Sequence, residues 1–233
     1  MKKKSSTEPV YGNYVDKYHT SNRIEKLLMS DFLNHFRKLL SQTGLNNPER
    51  ICEVGCGDGE LLKVIRTVYP SQQISACDIS PEQVEMAAGR KENDKVQFSV
   101  QNAESLSGYD DQSFDIVICV EVLEHLECPE RGLDELVRIS RDAMLISVPN
   151  EPIWRMLNIA RGKYWNALGN TPGHLNHWSP FQFPAFLAQE QEFKITKKTY
   201  PFPWQMILLN RVKTVEKDRM SEQNESYYTN TVL

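Results

Sequence analysis

The stretch Ile51-Cys52-Glu53-Val54-Gly55-Cys56-Gly57-Asp58-Gly59-Glu60-Leu61-Leu62 constrains the fold of this chain more than any other. A short apolar run passes directly into three glycines on alternate positions and then into an amphipathic segment. Glycine is needed where a chain turns sharply, or where a ligand must approach the backbone with no Cβ in the way. The helix that follows presents unpaired N–H groups at its start. The glycine spacing is GxGxG. A GxGxxG dinucleotide turn would need glycine at position 60, which is Glu60 here. Acids at 53, 58 and 60 would repel a pyrophosphate, so the expected ligand has a positive or neutral face.

The strand-then-helix unit recurs along the chain. Apolar residues spaced by three and four predict an amphipathic helix over 21–40, ended by Gly44 and Pro48. Strands are expected at 50–54, 73–77, 95–100, 114–120 and 143–148, with helices at 59–68, 81–90 and 129–140 between them. Ser80 is the expected N-cap of the second of these helices, and Pro81 its first residue. Strands alternating with helices imply parallel pairing, and the doubly wound sheet is the commonest outcome. Two last strands, 193–200 and 205–212, are joined through Pro201 and Pro203, a link short enough to favour antiparallel pairing. The expected fold is therefore α/β: a Rossmann-like doubly wound sheet of seven strands, mostly parallel with an antiparallel last strand, helices on both faces. Residues 21–212 form one domain between a polar N-terminal tail, 1–20, and a flexible C-terminal tail, 213–233. Residues 150–178 break the rhythm with Trp154, Trp165, Trp178 and several glycines, and are expected to form a lid or pocket wall containing a helix over 152–160.

Composition narrows the function. Charged residues make up 25% of the chain with a formal net charge of −4, which disfavours a nucleic-acid binder. No apolar run is long enough to span a bilayer. The five cysteines form no CxxC pair, which points to reduced thiols in a cytoplasmic protein rather than a zinc ribbon or a disulfide framework. Asp78 ends the second strand, where a carboxylate can accept hydrogen bonds from both hydroxyls of a ribose.

Taken together, Glu53-x-Gly55-x-Gly57-x-Gly59, Asp78, Asn102-Ala103-Glu104 and Phe114-Asp115-Ile116-Val117 resemble, in order and spacing, the class I S-adenosylmethionine-dependent methyltransferases. The resemblance covers roughly residues 15–149. It implies that Gly55, Cys56, Gly57 and Gly59 pass under the methionine part of the cofactor. It further implies that Asp78 holds the ribose, Ile79 packs on the adenine, and Asn102, Ala103 and Glu104 lie beside that ring. Val120 and Glu121 would line the methionyl side. Asp16-Lys17-Tyr18-His19 and Arg23 look like the pre-core helix that covers the cofactor in some members, with Arg23 near its carboxylate.

A second constellation follows the central strand. In Glu121-Val122-Leu123-Glu124-His125, helical spacing would bring both carboxylates and the imidazole to one face. Such a set suits magnesium or another divalent ion, with His174 or His177 as further ligands. The pattern looks like the metal site of the ubiquinone-pathway O-methyltransferases and of the small-RNA 2′-O-methyltransferases. The expected metal ligands are Glu121, Glu124, His125 and His177. Without a metal, His125, His174 or His177 is a general base, because imidazole titrates near neutral pH. The three tryptophans of the insert either wall an aromatic acceptor or simply pack the insert.

The sequence thus predicts an S-adenosylmethionine-dependent methyltransferase acting on a small molecule, leaning toward oxygen. The alternatives are a metal-dependent RNA 2′-O-methyltransferase and a non-catalytic cofactor-binding partner of another enzyme.

Overall fold

The computed structural model describes residues 22–162 and 164–212. The tails expected at 1–20 and 213–233, including Asp16, Lys17, Tyr18 and His19, lie outside the described residues. The elements run α1 (Arg23–Leu40), β1 (Arg50–Val54), α2 (Glu60–Val68), β2 (Gln73–Asp78), α3 (Pro81–Ala88), β3 (Val96–Val100), β4 (Phe114–Val120) and α4 (Pro129–Ile139). They continue with β5 (Ser140–Pro149), α5 (Glu151–Ala160), α6 (Gln182–Leu187), β6 (Phe193–Thr199) and β7 (Trp204–Arg211).

One seven-stranded sheet has the order β3-β2-β1-β4-β5-β7-β6. The first five strands are parallel, and β7 lies between β5 and β6, antiparallel to both. The chain fills the sheet outward from β1 to β3, then returns to build β4 and β5 on the other side. The reversal leaves a crevice at the carboxyl ends of β1 and β4, where ligands of such sheets bind.

Period-two alternation assigns the core. Every residue of β4 is buried. Val117 and Cys119 belong to the cluster that includes Leu133 and Leu136 of α4 and Phe183 and Leu187 of α6. Ile116, Ile118 and Val120 belong to the cluster that includes Phe32 and Phe36 of α1 and Leu62 and Ile65 of α2. A slip of one residue would exchange the two faces, so apolar packing on both sides fixes the register. The caps follow the sequence. Asn22 accepts the backbone N–H of Ile24 at the start of α1, and Ser80 Oγ accepts that of Gln83 at the start of α3. An ion pair from Arg161 to Glu25 (2.5 Å) ties the end of α5 to the first turn of α1.

Candidate active site

The glycine turn sits at the carboxyl end of β1 as expected. Gly55, Gly57 and Gly59 have φ of +76°, +52° and +81°, a region that L side chains rarely adopt. At Gly55 space forbids a side chain as well: a Cβ there would lie 2.1 Å from Val122 Cγ2. The Cys77 carbonyl accepts the N–H groups of Gly55 (2.8 Å) and Cys56 (3.0 Å). Asp78 fastens the turn to β2. One carboxylate oxygen accepts the Gly57 N–H and the other the Ser80 N–H, both at 2.9 Å. Each oxygen retains a lone-pair direction for a further donor.

The three acids of this region have different fates. Arg90, beyond the end of α3, pairs with Asp58 (2.5 Å) and with Glu60. The repulsion expected from positions 58 and 60 is therefore largely neutralised within the protein. Glu53 is different: it is buried, and its Oε2 has no hydrogen-bond partner among the described residues. Burial holds its carboxyl well above the ordinary carboxylate range, with Asp78 and Asp58 pushing the same way. A buried carboxylate without a partner gains most from a cationic ligand. Burial also pushes up the Cys56 thiol in the same turn, so that sulfur is a small packed side chain rather than a thiolate.

Around this turn, Ile79 is exposed at 52%, an apolar side chain left uncovered at the end of β2. Asn102 caps the Glu104 N–H (2.9 Å), and Ala103 is buried. Glu104 accepts the Cys128 N–H (2.9 Å), so one of its carboxylate oxygens braces the loop before α4. Arg23, the first residue of α1, is exposed.

The segment after β4 departs from the helix expected there. Glu121 has φ of +58°, and only Leu123–His125 is helical, as a single 3-10 turn. The i, i+3, i+4 face therefore does not form. The Glu121 Oε2 accepts the indole N–H of Trp204 at 2.9 Å. Glu124, His125 and His174 come together instead, each offering a ligand atom within 4.8 Å of the others. His177 lies outside that group, its Nδ1 3.6 Å from Glu151. Of the four expected metal ligands, Glu124 and His125 are thus brought together, and His174 completes the group.

The two imidazoles of the group are held alike. His125 Nδ1 lies 2.9 Å from the Gly173 carbonyl oxygen, and His174 Nδ1 lies 2.9 Å from Glu151 Oε1. Both partners are acceptors, so each Nδ1 carries a hydrogen, and Nε2 is the ring nitrogen left to face the cavity chemistry. The rings meet edge to face, 4.9 Å apart. The Glu151–His174 pair is buried, each side chain 4% exposed.

These imidazoles line a cavity of about 120 Å³ between α1, α5 and the start of β7. Its apolar walls are Leu28, Met29, Trp154, Leu157 and Trp204. Trp154 stacks on His174 at 6.2 Å and donates its indole N–H to Thr171 (2.8 Å). The other two tryptophans of the insert serve elsewhere. Trp178 packs with Phe183 and Phe186 in the core, and Trp165 is exposed. Two participants had escaped the sequence reading. Glu151 meets His174 across 23 positions and Trp204 meets Glu121 across 83, separations that carry no local signal. The Pro152 that follows Glu151 marks a helix start and says nothing of a histidine partner.

Residues 52–145 match the family described as a methyltransferase domain. A ubiquinone biosynthesis O-methyltransferase of Xanthomonas oryzae pv. oryzae is 31% identical over 144 residues, 60% of this chain and 59% of that protein. The chain thus spans about three fifths of that relative's length. Among solved structures, the plantazolicin methyltransferase BpumL in complex with SAH aligns with a TM-score of 0.65 at 15% identity, over 82% of this chain and 87% of that one. The magnesium protoporphyrin IX methyltransferase of Synechocystis PCC 6803 with bound SAH gives 0.63 at 18%, over 83% and 89%. At those identities the two structures speak for the fold, which is the doubly wound sheet expected. Sequence core, fold and relatives agree: residues 52–145 are similar to a methyltransferase domain, and the sheet that carries them has the fold of solved methyltransferases.

Proposed function

We propose that this protein transfers the methyl group of S-adenosylmethionine to a hydroxyl oxygen of a small, flat, largely apolar acceptor. The observation that carries this reading is the apolar cavity lined by two imidazoles, linked to the glycine turn through Trp204 and Glu121. At about 120 Å³ it is somewhat smaller than the apolar cavity of about 150 Å³ that takes up benzene, so it limits the buried part of an acceptor to about one ring. The Xanthomonas relative's name, an O-methyltransferase, supports oxygen as the acceptor atom over the RNA alternative. The bound cofactor supplies a methyl group already activated on a sulfonium. The protein's own task is alignment, which is worth roughly 7–11 kcal/mol of barrier. Gly55, Gly57, Asp78, Ile79, Asn102 and Ala103 position the cofactor. The insert of 150–178 walls the acceptor. His125, with its hydrogen held on Nδ1 by Gly173, receives the hydroxyl proton on Nε2.

A second reading has its own observation, the convergence of Glu124, His125 and His174. These residues would hold a divalent ion, with Glu151 and the Gly173 carbonyl fixing the two rings from behind. The ion would lower the pKa of an acceptor hydroxyl beside it.

Calorimetric titration of the full chain with S-adenosylhomocysteine tests the first half of the proposal. Binding in the micromolar range is expected, and about tenfold or more weaker binding in Asp78→Ala, which loses a charge-assisted partner. Wild-type protein that does not bind would overturn it. A screen of small-molecule extracts with labelled methyl donor, with and without chelator, tests the second half. Turnover that survives chelation assigns the proton to His125, and turnover that is lost assigns the metal.

A further inference from the structure

We propose that Trp204 is a positioning residue that fixes the cofactor end of the site and walls the acceptor end at once. The inference rests on the methyltransferase reading and adds to it a residue from the far side of the sheet. Trp204 opens β7, and its register partner is Pro149, the last residue of β5. That pairing places the indole at the carboxyl edge of the sheet, with β5 between its strand and the crevice at β1 and β4. It is 5% exposed. Its N–H donates to Glu121 Oε2 at 2.9 Å. Its ring faces the cavity, edge-on to Phe32 of α1 at 4.9 Å and 5.7 Å from Trp154 of α5.

Glu121 is what makes this bond matter. It is a non-glycine residue at φ +58°, so the chain leaves β4 by a sharp turn in a backbone region that L side chains rarely adopt. Such a conformation persists only where its surroundings hold it. Its contacts include the Glu121 N–H on the Ser147 carbonyl (2.9 Å) and the indole on the carboxylate. The next residue, Val122, is the one that a Cβ on Gly55 would strike. Any shift of Glu121 therefore moves Val122 against the glycine turn. A hydrogen bond from β7 thus reaches the cofactor cradle through one side chain and one peptide. The same indole closes the acceptor cavity, so a single ring sets the distance between the two.

Four proteins test this, all as the full chain, with S-adenosylhomocysteine as probe: wild type, Trp204→Phe, Glu121→Ala and the double variant. Phenylalanine keeps a flat ring and removes the N–H. Trp204→Phe and Glu121→Ala should each weaken binding about tenfold, the usual scale of a hydrogen bond to a charged group. The double variant should also be weaker by about tenfold rather than a hundredfold, because both changes break one link. Additive losses, or Trp204→Phe binding like wild type, would show that Trp204 merely packs and would overturn the inference. If Trp204→Phe does not fold, Glu121→Gln decides. Its amide oxygen still accepts the indole N–H, so binding within about threefold of wild type is expected where Glu121→Ala loses tenfold. Equal binding by the two Glu121 variants overturns the inference. Absence of binding by wild type strikes the methyltransferase reading instead, so the two failures are told apart.

Discussion

The glycine turn and the imidazole-lined cavity meet at Glu121 and Trp204, yet they are made of different material. The cradle is main chain: N–H groups of Gly55, Cys56 and Gly57 held by the Cys77 carbonyl and the Asp78 carboxylate, with glycines wherever φ turns positive. The cavity is side chain: mostly leucine, methionine, tryptophan and histidine, with the Glu25–Arg161 pair at its wall, brought in from α1, the turn after β4, α5, the loop after it, and β7. A wall of backbone tolerates almost no change in shape and little change in chemistry. A wall of side chains can be refilled residue by residue while the sheet beneath it stays the same. Under the proposed function, the difference fits a common cofactor served by a fixed turn and an acceptor that differs between enzymes.

The sharpest way to break this comparison is Gly55→Ala. The new methyl would sit 2.1 Å from Val122 Cγ2 at φ +76°. Overpacking of this kind costs about 1–3 kcal/mol and the left-handed backbone a further 1–2 kcal/mol. Binding of S-adenosylhomocysteine should fall by about a hundredfold or more, since both terms act on the binding surface itself. Gly44→Ala is the control. It has almost the same φ, +77°, with nothing within 4 Å, and lies at the end of α1 away from the turn. It should lower the melting temperature by a few degrees and leave binding unchanged, as expected for a cost of about 1 kcal/mol. Equal effects on binding at the two glycines would mean that the turn is not where the ligand lies.

Glu151→Gln probes the other wall. The substitution keeps the shape of the side chain and removes the charge that faces His174. Loss of such an orienting partner costs about 10–100-fold in activity or metal affinity. With the acceptor found by the labelled-methyl screen, kcat should fall within that range while S-adenosylhomocysteine binds as before. A loss of cofactor affinity instead would show that the two walls are not separable as described.

The same contrast explains what could be read from the sequence. The turn is contiguous in the chain, and each of its requirements, a buried strand, glycines at positive φ and a helix start, leaves a mark on neighbouring residues. The strand order follows because alternating strands and helices admit few topologies. The cavity leaves no such mark. Glu151 looks like an acid at a helix N-terminus until His174 is seen beside it, and Trp204 looks like part of the link before the last strand until its indole is seen on Glu121. The helix expected through Glu121–His125 failed for a related reason: spacing alone cannot show that a residue will be held at φ +58° by a partner from β7.

Glu53 sharpens the comparison by the smallest effect and from the opposite direction. It is a buried acid beneath a wall built largely of backbone, and burial raises its carboxyl well above the ordinary range. The sign of its contribution follows. Above the unfolded value, near 4.3, the unfolded chain releases this proton while the folded protein still holds it. Stability is therefore lost as pH rises from that value through the folded one, and the penalty is absent below it. Glu53→Gln removes the penalty, so the ligand-free variant should melt higher at neutral pH, by about 2–4 °C for each kcal/mol relieved, and show a flatter dependence of melting temperature on pH. Affinity for S-adenosylhomocysteine should fall at the same time, by about tenfold, because the cationic end of that ligand is what repays a buried carboxylate. A variant that melts lower than wild type would place Glu53 among the supports of the turn. One that melts higher and binds less shows stability given up to hold a cation.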